Sequence, residues 1–297
     1  WKRRLAAGLV LAVLPLTMTA GSLYFHCSEV RAAQVKKEEK GPYGCLTWPQ
    51  NLNAVRSEVE IFKELPKDLR ADTSAATAIY RNTHVYTNSL MLDMRQLQAE
   101  KPLFYRVRAY DLDGHPIGSY SQPADVESAL FKTERNAPIP HNPYGKGNGR
   151  VLLYPVYAYT GNPNAARYEV EVTSKYPENL HGFSPSVHRI YANTTELTDL
   201  YDDVPRTGTY YWRVRGMDST GKPVGEWSLP QEIKNPVKHW KVAVYGDSIS
   251  HGGGHLSFGP ADLAYSYESY LDFPSINLSQ SGDTSEAMVM RFEKDVL

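Results

Sequence analysis

The chain of 297 residues repeats itself once, and a self-similar stretch of about a hundred residues sets the gross architecture before any other feature is weighed. The repeat shows at three places. Leu46-Thr-Trp-Pro49 leading to Ser57-Glu-Val-Glu-Ile61 is answered by Leu152-Leu-Tyr-Pro155 leading to Tyr168-Glu-Val-Glu-Val172. Ala78-Ile-Tyr-Arg-Asn82 is answered by Arg189-Ile-Tyr-Ala-Asn193. Phe104-Tyr-Arg-Val-Arg-Ala-Tyr-Asp111 is answered by Tyr211-Trp-Arg-Val-Arg-Gly-Met-Asp218. Alternating apolar residues, rich in β-branched and aromatic types, predict strands. The turns Asp111-Leu-Asp-Gly114 and Asp218-Ser-Thr-Gly221 then predict hairpins.

In Tyr105-Arg-Val-Arg-Ala109 apolar positions alternate with arginines. One face of such a strand is expected in the core and its guanidinium groups in water. With the aromatic start, the Val-Arg pair and a last strand that ends in Tyr120-Ser121 or Trp227-Ser228, the repeats resemble fibronectin type III modules. That resemblance implies β-sandwiches over 43–136 and 150–236, separated by a Pro-, Asn- and Gly-rich linker at 137–149. The modules read as spacers in preference to a sugar-binding surface of exposed Tyr and Trp, because aromatics at strand spacing more often fill a core.

Charge sets limits on partners. With 32 basic and 33 acidic side chains the net charge is -1, so no global field recruits nucleic acid. Trp1-Lys-Arg-Arg4 followed by an apolar run to Met18 has the form of a secretory signal over 1–22, with small residues near Ala20 for cleavage. An uncleaved anchor is the alternative, and a membrane partner enters only through it. Residues 23–42 read as a solvated linker containing Lys36-Lys-Glu-Glu-Lys40. Cys27 lacks the small preceding residues of a lipoprotein signal. Cys27 and Cys45, the only cysteines, form either one extracellular disulfide or two thiols.

Chemistry concentrates after residue 239. Trp240 to Tyr245 is a short apolar run ending in Gly246-Asp-Ser-Ile249. It reads as a buried strand that delivers Ser248 to the crevice at the carboxyl end of an α/β sheet. Ser275-Ile-Asn-Leu-Ser279 reads as a second buried strand, after a weaker helical stretch at 264–271. Gln280-Ser-Gly-Asp-Thr-Ser285 then turns into a helix capped by Asp283 or Thr284, with Glu286 for a capping box and Met288, Phe292 and Val296 on one face.

Gly246-Asp-Ser-Ile249 and Asn277-Leu-Ser-Gln-Ser-Gly-Asp-Thr-Ser285 together resemble the two leading blocks of SGNH or GDSL-like serine hydrolases. The resemblance implies an α/β/α, flavodoxin-like domain over 239–297 and no cofactor or metal. It makes Ser248 the nucleophile and gives the backbone N–H groups of Ser248 and Gly282 to an oxyanion hole. Asp247 is expected to shape the loop rather than serve as the triad acid. The family's later Gly-x-Asn-Asp and Asp-x-x-His do not occur in the sequence. The chain, lacking a starting Met, is therefore read as a truncated, nearly inactive piece of an active parent. His251-x-x-x-His255 flanks three glycines that oppose a helix, so a substrate loop is expected there in place of a metal site. No Gly-x-Ser-x-Gly elbow is present.

The expected architecture is thus multidomain: two all-β fibronectin type III-like sandwiches followed by a truncated α/β/α SGNH hydrolase domain. The expected activity is hydrolysis of carboxylic esters by a secreted enzyme, with acetylated polysaccharide as the substrate. A surface adhesion or scaffold protein with a degenerate hydrolase domain is the competing reading.

Overall fold

A computed structural model describes residues 42–49, 51, 53–68, 78–97, 102–141, 151–194, 199–235, 240–252 and 267–297. The candidate signal, Cys27 and His255 lie outside the described residues. Among the described residues no helix is long and apolar enough to cross a membrane.

The first repeat contains β1 (Tyr43–Thr47), β2 (Arg56–Phe62), β3 (Tyr80–Val85), β4 (Ser89–Asp93), β5 (Phe104–Tyr110), β6 (Pro116–Ile117) and β7 (Ala124–Asp125). A single helical turn, α1 (Val126–Ala129), then leads to β8 (Phe131–Thr133). One sheet runs β4-β1-β8; the other runs β3-β2-β5, with β6 and β7 both paired to β5. Leu46, Val59, Ile61, Leu92 and Val107 pack between them.

The second repeat contains β9 (Ile139–His141), β10 (Val151–Leu152), β11 (Val156–Thr160), β12 (Arg167–Thr173), β13 (Val187–Thr194), β14 (Asp199–Tyr201), β15 (Gly208–Met217), β16 (Pro223–Val224) and β17 (Gln231–Asn235). Sheet β14-β11-β9 faces sheet β13-β12-β15, whose far edge holds β16 and β17. Tyr157, Tyr159, Val170, Trp212 and Val214 fill the core. Both repeats are therefore β-sandwiches, as expected. Ile139–His141 belongs to one of their sheets, so the stretch read as a linker at 137–149 begins with a strand.

The arginines contradict the expectation of solvated guanidinium groups. Arg106 is 0% exposed and Arg213 3%. Register explains it: Glu60 lies opposite Arg106 and Glu58 opposite Arg108, and Glu171 opposite Arg213 and Glu169 opposite Arg215. Arg106 donates to Glu60 at 2.8 Å and Arg213 to Glu171 at 2.5 Å. Aromatic rings roof the pairs, with Tyr120 3.7 Å from Arg106 and Trp227 4.4 Å from Arg213. Each burial of charge is thereby matched by a partner and a ring.

The third unit holds β18 (Val242–Val244), α2 (Ser248–His251), a 3-10 helix (Tyr267–Tyr270), β19 (Ser275–Asn277) and α3 (Ser285–Val296). Its sheet is parallel, in the order β10-β19-β18. The edge strand comes from upstream: Val151 lies opposite Ile276, and Leu153 N–H donates to Asn277 O at 2.7 Å. Leu152-Leu-Tyr-Pro155 is thus no counterpart of Leu46-Thr-Trp-Pro49, whose Leu46 and Thr47 end β1 inside a sandwich. β19 is buried throughout, as expected, whereas β18 is shorter than its apolar run and exposes Val242.

Candidate functional site around Ser248

Parallel strands end together, and here β18 and β19 bring both sequence blocks to one end of the sheet. Leu278 N–H donates to Val244 O at 2.7 Å, continuing the ladder, and Gln280 N–H donates to Gly246 O at 3.2 Å. Ser248, half-buried, is the first residue of α2. Asp247 caps that turn, its carboxylate accepting from Ile249 N–H at 3.0 Å, so the side chain shapes the loop as the sequence suggested. Gly246 is required by space: a Cβ there would lie 2.3 Å from Ser250 Oγ. Gly282, exposed, is required by backbone conformation, with φ of 91° and nothing within 4 Å of a Cβ.

Arg291 ties the two blocks. Its guanidinium donates to Leu278 O at 2.7 Å and to Gly246 O at 3.2 Å, while Asp283 at 2.5 Å and Asp295 at 2.7 Å hold its charge. Burial works against that charge, but the two carboxylates outweigh it and keep the group fully protonated. Asp283 is therefore an ion-pair partner, and Thr284 is the cap of α3, its Oγ1 accepting from Ala287 N–H. Tyr245 links α3 to the sheet: its hydroxyl donates to the backbone O of Met288, and its ring meets Phe292 edge-on at 5.5 Å, although no residue of α3 is buried.

Asn277 and Glu268 support the loops from below. Asn277 Nδ2 donates to Ser250 O at 2.8 Å and to Glu268 at 2.9 Å, and its Oδ1 accepts from Ser279 N–H at 3.0 Å. Ser275 Oγ donates to Glu268 at 2.6 Å. In the sequence Asn277 stands out as a strand residue that opens the second block, whereas Glu268 and Arg291 carry no assigned role. A buried-strand Asn and an Arg four residues before Asp295 were the available signals.

His251 does not face Ser248 as a base. Its Nε2 lies 3.0 Å from Tyr154 O; a carbonyl only accepts, so Nε2 carries the proton. Burial pushes the imidazole below its usual range and keeps it neutral. The histidine thus docks α2 onto the segment that enters the second sandwich, where Tyr154 also donates to Asp295 at 2.7 Å. Elsewhere among the described residues, Asp111, Asp113 and His115 approach one another in the β5–β6 turn. Asp111 there accepts from His115 N–H at 2.8 Å, the same turn device that Asp218 makes with Lys222 N–H at 2.9 Å.

No protein-family model matches the chain, and no curated protein matches it. Among solved structures the chain is similar to the central fibronectin-III array of RIM-binding protein, at 9% identity and a TM-score of 0.28 over 70% of this chain and 69% of that one. It is also similar to fibronectin(III)-like modules of Clostridium thermocellum CbhA, at 14% identity and a TM-score of 0.20 over 68% of this chain and 90% of that one. Trp212 and Trp227 of the second sandwich are core residues and Trp48 of the first is partly buried against its core, so an exposed Trp platform for sugar is absent from these positions.

Proposed function

We propose that the chain carries the nucleophile region of an exported SGNH-type ester hydrolase. The observation that supports this reading most is the bond from Gln280 N–H to Gly246 O, which holds the Gly246-Asp247-Ser248 loop beside the Gly282 loop. Ser248 Oγ attacks the ester carbonyl carbon, its proton passing to a base, and the oxyanion is met by the N–H groups of Ser248 and Gly282. Collapse expels the alcohol, which takes back the proton, and water then releases the acid. In the family that the blocks resemble the base is the histidine of an Asp-x-x-His motif, which does not occur in this sequence. The substrate is an ester on carbohydrate, with acetylated polysaccharide the chemistry that modular, exported architecture suits.

The test is covalent labelling of the complete protein by a fluorophosphonate probe. Label on Ser248, lost in Ser248→Ala, is expected; a folded protein that takes no label overturns the enzyme reading. In that case the commitment of His251 to Tyr154 O favours a binding scaffold built on an inert hydrolase unit.

A further inference from the structure

We propose that the cleft between the two sandwiches is a binding site for a neutral oligosaccharide, independent of whether Ser248 is active. One wall is β3, β4 and the turn after them; the other is the loop 160–168. The cleft encloses about 1010 Å³, the upper end of ligand-site volumes, and lies at a module junction, where such sites concentrate.

The junction is built, not incidental. Ser89 Oγ hydrogen-bonds Thr160 Oγ1 at its floor, and His141 Nε2 contacts the same hydroxyl at 2.7 Å. Gln96 Nε2 reaches across to Asn164 Oδ1 at 3.3 Å. Cys45, Met91 and Ile139 pack behind. Asn164 has φ of 68°, the one positive value outside glycine among the described residues, a conformation that holds its amide at the rim at some cost in strain.

The lining selects the ligand class. Amides of Asn82, Gln96 and Asn164 supply donors and acceptors, and the rings of Tyr86 and His84 supply flat faces, while Tyr80 packs against the core behind them. His84 and Tyr86 stand 6.4 Å apart and tilted, with His84 exposed and Tyr86 half-buried. The one carboxylate in the lining, Asp93, is held by Arg95 at 2.8 Å. Rings pack the C–H faces of pyranoses while amides bond their hydroxyls, and a site with no uncompensated charge rejects charged ligands by leaving them desolvated. Among the described lining residues an acidic glycan meets no Lys or Arg.

The experiment titrates xylohexaose, cellohexaose and, for contrast, a hexauronate into the whole chain carrying Ser248→Ala, by calorimetry. At least one neutral hexasaccharide is expected to bind with a Kd of about 0.1–1 mM and the hexauronate about tenfold more weakly or not at all. Tyr86→Ala combined with Asn164→Gly is expected to weaken binding about tenfold. Glycine suits the backbone at residue 164, so Asn164→Gly alone, melting as the parent does and binding more weakly, separates lost contacts from lost fold. Equal affinity for the hexauronate, no binding of either neutral sugar, or unchanged binding in the double variant overturns the proposal. Loss of fluorophosphonate labelling would leave this result untouched.

Discussion

Arg213→Ala is the sharpest test of how the second sandwich is held together. The guanidinium donates to Glu171 at 2.5 Å, to Asn179 O at 2.7 Å and to Gly182 O at 2.7 Å, beneath the Trp227 ring. Truncation removes these bonds together with the one to Ser184 Oγ at 3.4 Å, and leaves the carboxylate of Glu171, 0% exposed, accepting from Ser184 N–H. Breaking one partner out of a buried pair costs about 3–5 kcal/mol. An Arg standing in water would cost about 0–1 kcal/mol. For a module of this size each kcal/mol moves the midpoint by about 4–8 °C, so a loss on the order of 20 °C is expected. Thermal unfolding of the whole chain, followed by Trp fluorescence and near-ultraviolet circular dichroism, reports Trp212 and Trp227 together with the chain's other tryptophans, and the transition that moves between parent and Arg213→Ala is that of the second sandwich. A shift under about 5 °C would refute the buried-pair account. Glu171→Leu with Arg213→Met should recover part of the loss, since a well-packed apolar pair often replaces a buried ionic one.

Acid should loosen the junction of the sandwiches. His141 is wholly buried and its imidazole is pushed down from 6.5 to about 4 by burial, so the unfolded chain takes up a proton before the folded one does. Stability from this group is present above about pH 6.5 and falls by about 3 kcal/mol as pH drops towards 4; His141→Gln should flatten that stretch of a stability-against-pH curve. Gly246→Ala puts a Cβ 2.3 Å from Ser250 Oγ and 2.7 Å from Ser250 Cβ, so it should destabilise the third unit by about 1–3 kcal/mol, read as faster hydrogen exchange across 242–252. Asn277→Ala frees Ser250 O, Glu268 and Ser279 N–H of a shared partner. It should destabilise the third unit by about 2 kcal/mol or more, read by hydrogen exchange across 242–252.

The sandwiches were legible because period-two alternation survives in any register, and Val59, Val107, Val170 and Val214 declare the core face. The outer face was not legible, because whether Arg106 or Arg213 meets water depends on which strand lies beside it. The Glu-x-Glu of each repeat had the matching spacing for the Arg-x-Arg, and only the pairing of β2 with β5 and of β12 with β15 turns two charged stripes into one neutral, roofed layer. The same distinction governs the site. Ser248, Asp247 and Gly282 could be read because local chemistry dictates them: a cap, a tight loop, a positive φ. The bonds of Tyr154 to Asp295, of Asn277 to Ser250 O and of Arg291 to Gly246 O could not, because each joins residues far apart in sequence. The case with the most consequence is β10. A two-residue strand carries almost no periodic signal, yet by pairing with Ile276 and Asn277 it joins the second sandwich to the sheet that bears Ser248, and the Tyr154 carbonyl beside it holds the helix of that serine through His251. A module read from sequence as a spacer therefore shares a strand and a buried hydrogen bond with the unit that carries Ser248, and cutting the chain between 152 and 240 would remove an edge from that sheet.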